Sequence, residues 1–138
     1  MKKKVITICM IACLVLASSV FAYAEMEDGS ILPMANYHSL SNAALTISSV
    51  GVAEVSGKIY GISGVTTKTT VHLYLQRKEN GEWVNVEDWL SSNNSVNTFL
   101  TKTKTVSKGY TYRAKASCYA YCGAKNERVI SYSDEIKY

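Results

Sequence analysis

The chain is poor in the residues and motifs that carry catalysis and metal binding. It has two histidines, four cysteines and one proline in 138 residues. No G-x-S-x-G nucleophile motif, H-E-x-x-H metal motif or glycine-rich phosphate loop occurs in it. Its adjacent acidic pairs, Glu87-Asp88 and Asp134-Glu135, would point to opposite faces of a strand and form no acid/base dyad. We therefore expect no catalytic residue, no metal site and no cofactor, and predict that the protein is not an enzyme.

Helical periodicity is also missing after residue 24. Runs rich in Val, Ile, Thr and Tyr alternate instead with clusters of Gly, Asn and Ser, which is typical of short strands joined by turns. Asn80-Gly81 is a hairpin signal between two such runs. The pattern predicts seven strands, at about residues 43–49, 53–62, 69–78, 83–90, 96–106, 110–121 and 129–137. Seven strands without an intervening helix predict an antiparallel β-sandwich.

The N terminus has the composition of a targeting segment. Three lysines at positions 2–4 precede an apolar run over residues 5–20, and Ala22-Tyr23-Ala24 follows as an A-x-A cleavage site. The run is a little short for a membrane-spanning helix. It also continues well past Cys13, which argues against a lipoprotein. We predict a signal peptide over residues 1–24, secretion to the extracellular space, and no membrane association after cleavage.

Cleavage changes the charge of the chain. The 15 Lys and Arg residues stand against 11 Asp and Glu, and the three lysines at positions 2–4 leave with the signal, so the excess falls from four to one. Such a balance lacks the clustered basic excess of nucleic-acid binding proteins, so we expect no nucleic-acid partner. The remainder is long enough for one domain. We predict an extended leader over residues 25–42, a β-sandwich over residues 43–138, and release from the cell.

Residues 106–116 (VSKGYTYRAKA) resemble the start of the sixth strand of fibronectin type III domains. Val106, Gly109 and Tyr112 match the family's apolar, glycine and tyrosine positions, while Lys108 stands where the family usually has proline. The resemblance implies a fibronectin type III or immunoglobulin-like sandwich. It further implies that Tyr112 is a tyrosine corner, buried and hydrogen-bonded to the backbone of the preceding turn.

The resemblance to fibronectin type III domains extends over roughly residues 43–138. The stretch from Tyr74 to Trp83 and the serine-rich entry to the last strand also match, whereas Ile59-Tyr60 replaces the family's usual tryptophan in the second strand. The whole chain is also similar to small secreted proteins of Gram-positive bacteria that have no assigned activity. Neither similarity implies a ligand, because this fold serves many functions.

Two of the four cysteines leave with the signal, and Cys118 and Cys122 remain in a compartment that permits disulfides. On one straight strand their Cα atoms would be about 13 Å apart, whereas a disulfide needs roughly 4.4–6.8 Å. A bond therefore requires a turn near Ala120 and Tyr121, where the fibronectin-like register ends the sixth strand. We predict this disulfide, with two free thiols as the alternative. Metal binding lacks further ligands nearby.

Strand alternation predicts one outward face rich in aromatic and basic side chains. Such residues are common in interaction surfaces, although cation–ring pairs also stabilise a sheet that has no ligand. The predicted binding-face residues are His72, Tyr74, Trp83, Trp89, Arg113, Lys115, Tyr119 and Tyr121. They suggest a recognition module for an extracellular protein, peptide or glycan. The alternative is a structural or self-assembling extracellular protein, and the sequence identifies neither a ligand nor an oligomeric state.

Overall fold

A computed structural model describes residues 35–138, and within this range the chain forms eight β-strands. The predicted signal peptide and residues 25–34 of the predicted leader lie outside the described residues. The strands are β1 (His38–Ile47), β2 (Val52–Gly61), β3 (Lys68–Glu79), β4 (Glu82–Asn93), β5 (Asn97–Thr105), β6 (Thr111–Cys122), β7 (Lys125–Tyr132) and β8 (Ile136–Lys137).

The strands form two antiparallel sheets. Sheet A has the order β1-β2-β5, and sheet B has the order β4-β3-β6-β7 with β8 paired to β6. The predicted all-β antiparallel sandwich is confirmed. The predicted seventh strand, however, is divided into β7 and β8. Ser133 interrupts it, because its hydroxyl accepts the Ala114 amide hydrogen at 2.8 Å and donates to the Asp134 carbonyl at 2.8 Å.

The core lies between β2 of sheet A and β3 and β6 of sheet B. Every second side chain on these strands is buried, as alternation along a strand requires. The largest contributors are Val55, Ile59, Val71, Leu73, Leu75 and Tyr112. Gly57 marks a close approach of the sheets. A Cβ atom there would lie 3.0 Å from Val71 and 3.1 Å from Leu73.

The first strand begins at His38, inside the segment that the sequence assigned to the leader. Glu127 of β7 holds this end in place. Its carboxylate accepts the amide hydrogens of Asn36 at 3.0 Å and Tyr37 at 2.9 Å, and Nδ1 of His38 lies 3.1 Å from the same oxygen. The contact is tertiary, so the local pattern of residues 35–42 did not reveal the longer strand.

The β3–β4 hairpin carries an irregularity that decides which way its tryptophans point. The turn has left-handed backbone at Asn80 (φ 50°) and Gly81 (φ 87°), as an Asn-Gly hairpin requires. Further along, the register shifts between Leu75 and Gln76, because their partners are Glu87 and Asn85. Val86 is therefore the extra residue of a β-bulge. Because of this extra residue, the alternate side chains that point to solvent before Val86 correspond to those that point to the core after it.

Candidate ligand-binding face

The solvent side of sheet B carries rows of aromatic and basic side chains, and we call it the aromatic–cation face. Its residues alternate along each strand with the buried core residues, so they point away from the core. The aromatic members are Tyr74, Trp83, Tyr119, Tyr121 and Tyr132. The basic members are Lys68, Lys78, Arg113, Lys115 and Arg128.

Seven of the eight predicted binding-face residues lie on this face, and Trp89 does not. Trp83 pairs with Lys78 and points outward, whereas Trp89 pairs with Leu73 and packs against the core. The bulge at Val86 lies between the two tryptophans and reverses the alternation, so the placement of Trp89 on the binding face is wrong. His72 belongs to the face, beside Tyr74 on β3.

Arg113 is the most constrained cation of the face. Its guanidinium lies 4.1 Å from the ring centroid of Trp83 and 4.3 Å from that of Tyr132. Its Nε donates to Oε1 of Gln76 at 2.9 Å, and Nε2 of Gln76 donates to Oδ1 of Asn85 at 2.9 Å. Gln76 lies on the solvent side of the sheet but is only 6% exposed. We call Arg113 and the side chains that hold it the Arg113 clamp. This clamp joins side chains from all four long strands of sheet B.

Each of the other four cations also lies over an aromatic ring. The distances from Nζ or Cζ to the ring centroid are 5.3 Å for Lys115 and Tyr74, 5.8 Å for Arg128 and Tyr119, 5.2 Å for Lys68 and Tyr121, and 5.3 Å for Lys78 and Trp83. Contacts of this kind contribute about 0.5–1 kcal/mol each at exposed sites. Such contacts restrict the rotamers of these long side chains.

His72 connects an acidic and a phenolic side chain on the same face. Its Nε2 lies 2.7 Å from Oδ2 of Asp88, and the Tyr74 hydroxyl lies 2.7 Å from its Nδ1. Burial raises the pKa of Tyr74, and the Asp88 carboxylate adds to the rise. The phenol therefore stays protonated at neutral pH, which suits a hydrogen-bonding group and disfavours a nucleophile.

The charge of this face is predominantly positive. The five basic residues share it with two carboxylates, that of Asp88 on β4 and that of Glu135, which lies 3.9 Å from Nζ of Lys78. Apolar side chains continue the surface, since Leu90 is 66% exposed, Ile130 is 40% exposed and Tyr132 is 49% exposed. Local positive charge beside flat rings and apolar groups is an arrangement that attracts an anionic partner with apolar faces.

Sequence reasoning missed the β7 contribution to the face. Tyr132 pairs across the sheet with Lys115, and Arg128 pairs with Tyr119. The strand was predicted to begin at residue 129, but it begins at Lys125, which places Arg128 within it. Once the start of the strand is known, the alternate positions of Arg128, Ile130 and Tyr132 predict that their side chains share one face of the sheet.

The solvent side of sheet A contains a shallow depression of about 250 Å³. Ala44 and Ser56 line it together with the larger side chains of Lys58 and Phe99. Phe99 meets Tyr60 edge to face, with ring centroids 5.3 Å apart. The depression is smaller than the roughly 300–1,000 Å³ of typical small-molecule sites, and it carries one cation where the opposite face carries five.

The predicted disulfide between Cys118 and Cys122 is not formed, and both thiols are free. The prediction placed a turn near Ala120 and Tyr121, but β6 continues without interruption to Cys122. Four residues of extended strand separate the two sulfur atoms too widely for a bond. Cys118 lies in the core, and burial raises the pKa of its thiol to about 11.

Tyr112 is completely buried at the start of β6. Its hydroxyl donates to the Ser107 carbonyl at 2.8 Å and accepts the Ser107 amide hydrogen at 3.2 Å. Ser107 belongs to the turn before the strand, where Gly109 has a φ of 91°. The residue serves the fold, because it pins this turn to the core.

No protein-family model matches the chain, and no curated protein matches it significantly. Among solved structures, it is similar to the CARDB domain of a Pyrococcus furiosus protein, crystallised in complex with di-metal ions. The identity is 15%, the match covers 74% of this chain and 89% of that domain, and the TM-score is 0.43. At this level of similarity the likeness carries no argument about fold or function.

Among residues 35–138, no three His, Cys, Asp or Glu side chains come together to hold a metal ion. The same stretch contains no helix of the length and apolarity needed to cross a membrane.

Proposed function

We propose that this chain is a secreted, non-catalytic recognition module that binds its ligand on the aromatic–cation face. The observation that carries the proposal is the Arg113 clamp, in which Trp83, Tyr132 and Gln76 hold one guanidinium in a fixed position. Side chains that are ordered before binding lose little entropy when a ligand arrives. Tyrosine, tryptophan and arginine are also the residue types that dominate binding energy in interfaces.

Two substitutions of similar size test the location of the site. Trp83→Ala removes a ring from the aromatic–cation face, and Phe99→Ala removes a ring from the solvent side of sheet A. We expect that a ligand found on a glycan or peptide array loses about tenfold or more in affinity with Trp83→Ala and is unaffected by Phe99→Ala. The reverse result would move the site to sheet A. Melting curves of both variants check that the fold is retained.

Secretion rests on the targeting features of residues 1–24. Cleavage after Ala24 would make Glu25 the first residue of the mature protein. N-terminal sequencing or intact mass of material from the culture medium measures this directly. A released species that retains residues 1–24 would contradict the signal peptide.

Within the β-sandwich class, we propose a fibronectin type III-like member. In the constant-type immunoglobulin arrangement the fourth strand joins the first, second and fifth. Here β4 joins β3, β6 and β7 instead. The buried Tyr112 and its bond to Ser107 supply the tyrosine corner that the sequence motif implied.

Self-assembly is the second candidate function, and the sheet edges favour it. β4 and β5 each pair with one strand only, so their outer backbone groups are available to a neighbouring chain. A solution mass that rises with protein concentration would support assembly. A monomer over the whole accessible range would exclude it and leave the recognition module.

A further inference from the structure

The guanidinium of Arg113 has one open side. An arginine carries five N–H donors, and Nε–H is already bound to Gln76. Trp83 and Tyr132 both lie against the guanidinium, with ring centroids 4.1 Å and 4.3 Å from Cζ. Within residues 35–138 no carboxylate pairs with it, in contrast to Arg77, which is bound to Glu79. The terminal Nη groups of Arg113 make no hydrogen bond within the described residues, and the Nη edge of an arginine binds carboxylates with two parallel hydrogen bonds.

Further cations continue along the face from Arg113. Lys115 follows two positions later on β6, and Arg128 and Lys68 lie beside Tyr119 and Tyr121 at the far end of the strand. The nine residues from Arg113 to Tyr121 span about 26 Å of strand. A single small anion would use only one of these charges. An extended ligand with repeated negative groups would use several at once.

The surface between the cations suits a sugar chain better than a peptide. Thr70 and Ser117 are buried, and the hydroxyls of Thr70, Ser92 and Ser117 are already hydrogen-bonded within the sheet, so the accessible surface consists mainly of the rings and the cations. Peptides are usually recognised at a sheet edge, in a groove or through side-chain pockets. This face is the middle of a sheet, and the depression described above lies on the opposite side of the sandwich. Exposed rings such as Tyr132 offer flat apolar surfaces for the C–H faces of sugars.

We propose that the aromatic–cation face binds a linear acidic polysaccharide whose sugars carry carboxylates, with the Nη edge of Arg113 as the central carboxylate contact. The proposal rests on the binding face proposed above and adds the chemical class of the ligand.

The test measures binding of the full protein to four polymers: polygalacturonate as the polyuronate, dextran as a neutral glycan, poly-L-glutamate as an acidic peptide, and single-stranded oligothymidylate. We expect binding to polygalacturonate that is at least about tenfold tighter than to the other three. We also expect it to weaken markedly between about 50 and 200 mM salt, because charge pairs at a surface are screened.

Three variants locate the contact. Arg113→Lys keeps the charge but loses the planar fork, so its affinity for polygalacturonate should fall about tenfold. Lys115→Gln removes the next cation, and its affinity should fall several-fold. Lys102→Gln is the matched control, because it removes one exposed charge from β5 of sheet A and should leave binding unchanged.

The results that would refute the proposal can be told apart, because each indicates a different ligand or a different role for the cations. Tighter binding of poly-L-glutamate would indicate an acidic protein partner, and tighter binding of oligothymidylate would indicate a nucleic acid. A neutral array ligand that is lost with Trp83→Ala but retained with Arg113→Lys would refute the acidic polysaccharide and keep the binding face. If Arg113→Lys lowers the melting temperature, Lys115→Gln decides alone, and an unchanged affinity would refute the proposal.

Discussion

Replacing Tyr112 with phenylalanine would remove one oxygen atom from a fully buried side chain and leave the ring in place. The hydroxyl makes two hydrogen bonds to the same residue, donating to the Ser107 carbonyl and accepting from the Ser107 amide. Both bonds join β6 to the turn that leads into it. The substitution therefore tests whether this turn is held by the tyrosine corner or only by chain connectivity.

The two distances allow the cost to be estimated. An intramolecular hydrogen bond contributes about 0.5–1.5 kcal/mol net. The bond to the carbonyl, at 2.8 Å, has the usual length, while the bond from the amide, at 3.2 Å, is long and belongs at the low end. Ser107 is exposed, so water replaces part of what is lost. We expect Tyr112→Phe to lower the free energy of unfolding by about 1–2 kcal/mol.

Thermal unfolding followed by circular dichroism measures this loss. For a domain of about 100 residues, 1 kcal/mol corresponds to roughly 4–8 °C, so the melting temperature should fall by about 5–10 °C. Tyr110→Phe is the matched control. Tyr110 is 38% exposed, and its hydroxyl makes no hydrogen bond within residues 35–138, so its loss should cost under about 0.5 kcal/mol. Equal melting temperatures for the two variants would refute the reasoning.

Three further predictions concern the core, the thiols and the N-terminal strand. Gly57→Ala should destabilise the fold by about 1–3 kcal/mol in denaturant titrations, because its Cβ would press against the core; an unchanged midpoint would contradict the close approach of the sheets. A maleimide at neutral pH should label Cys122 and reach Cys118 only after unfolding, and a chain without free thiols would mean that the bridge forms. Partial burial raises the pKa of Glu127, but hydrogen bonds from the Tyr37 amide and from the side chain of His38 outweigh it and lower the pKa below the usual value of a glutamate. The stability from this contact should be complete above about pH 4.5 and lost as the pH falls through the folded pKa, and Glu127→Gln should remove that dependence of the melting temperature.

The sequence by itself determined the class of fold and much of the candidate face. Val71, Leu73 and Leu75 alternate with His72 and Tyr74, and this alternation alone assigns each side chain of β3 to the core or to solvent. Asn-Gly specifies the hairpin that follows, because both residues readily adopt left-handed backbone. These features are local, since a strand's two faces are fixed by the period of two in its own residues.

Only the tertiary structure decided how those faces combine. The bulge at Val86 turned Trp89 into the core, because an extra residue reverses the alternation without leaving a clear mark in the sequence. The pairing of β7 with β6 brought Tyr132 against Arg113, and the pairing of β4 with β3 brought Trp83 to the same guanidinium. These contacts depend on strand register between segments distant along the chain. Register is set by the packing of the whole sandwich, so no local pattern contained the clamp.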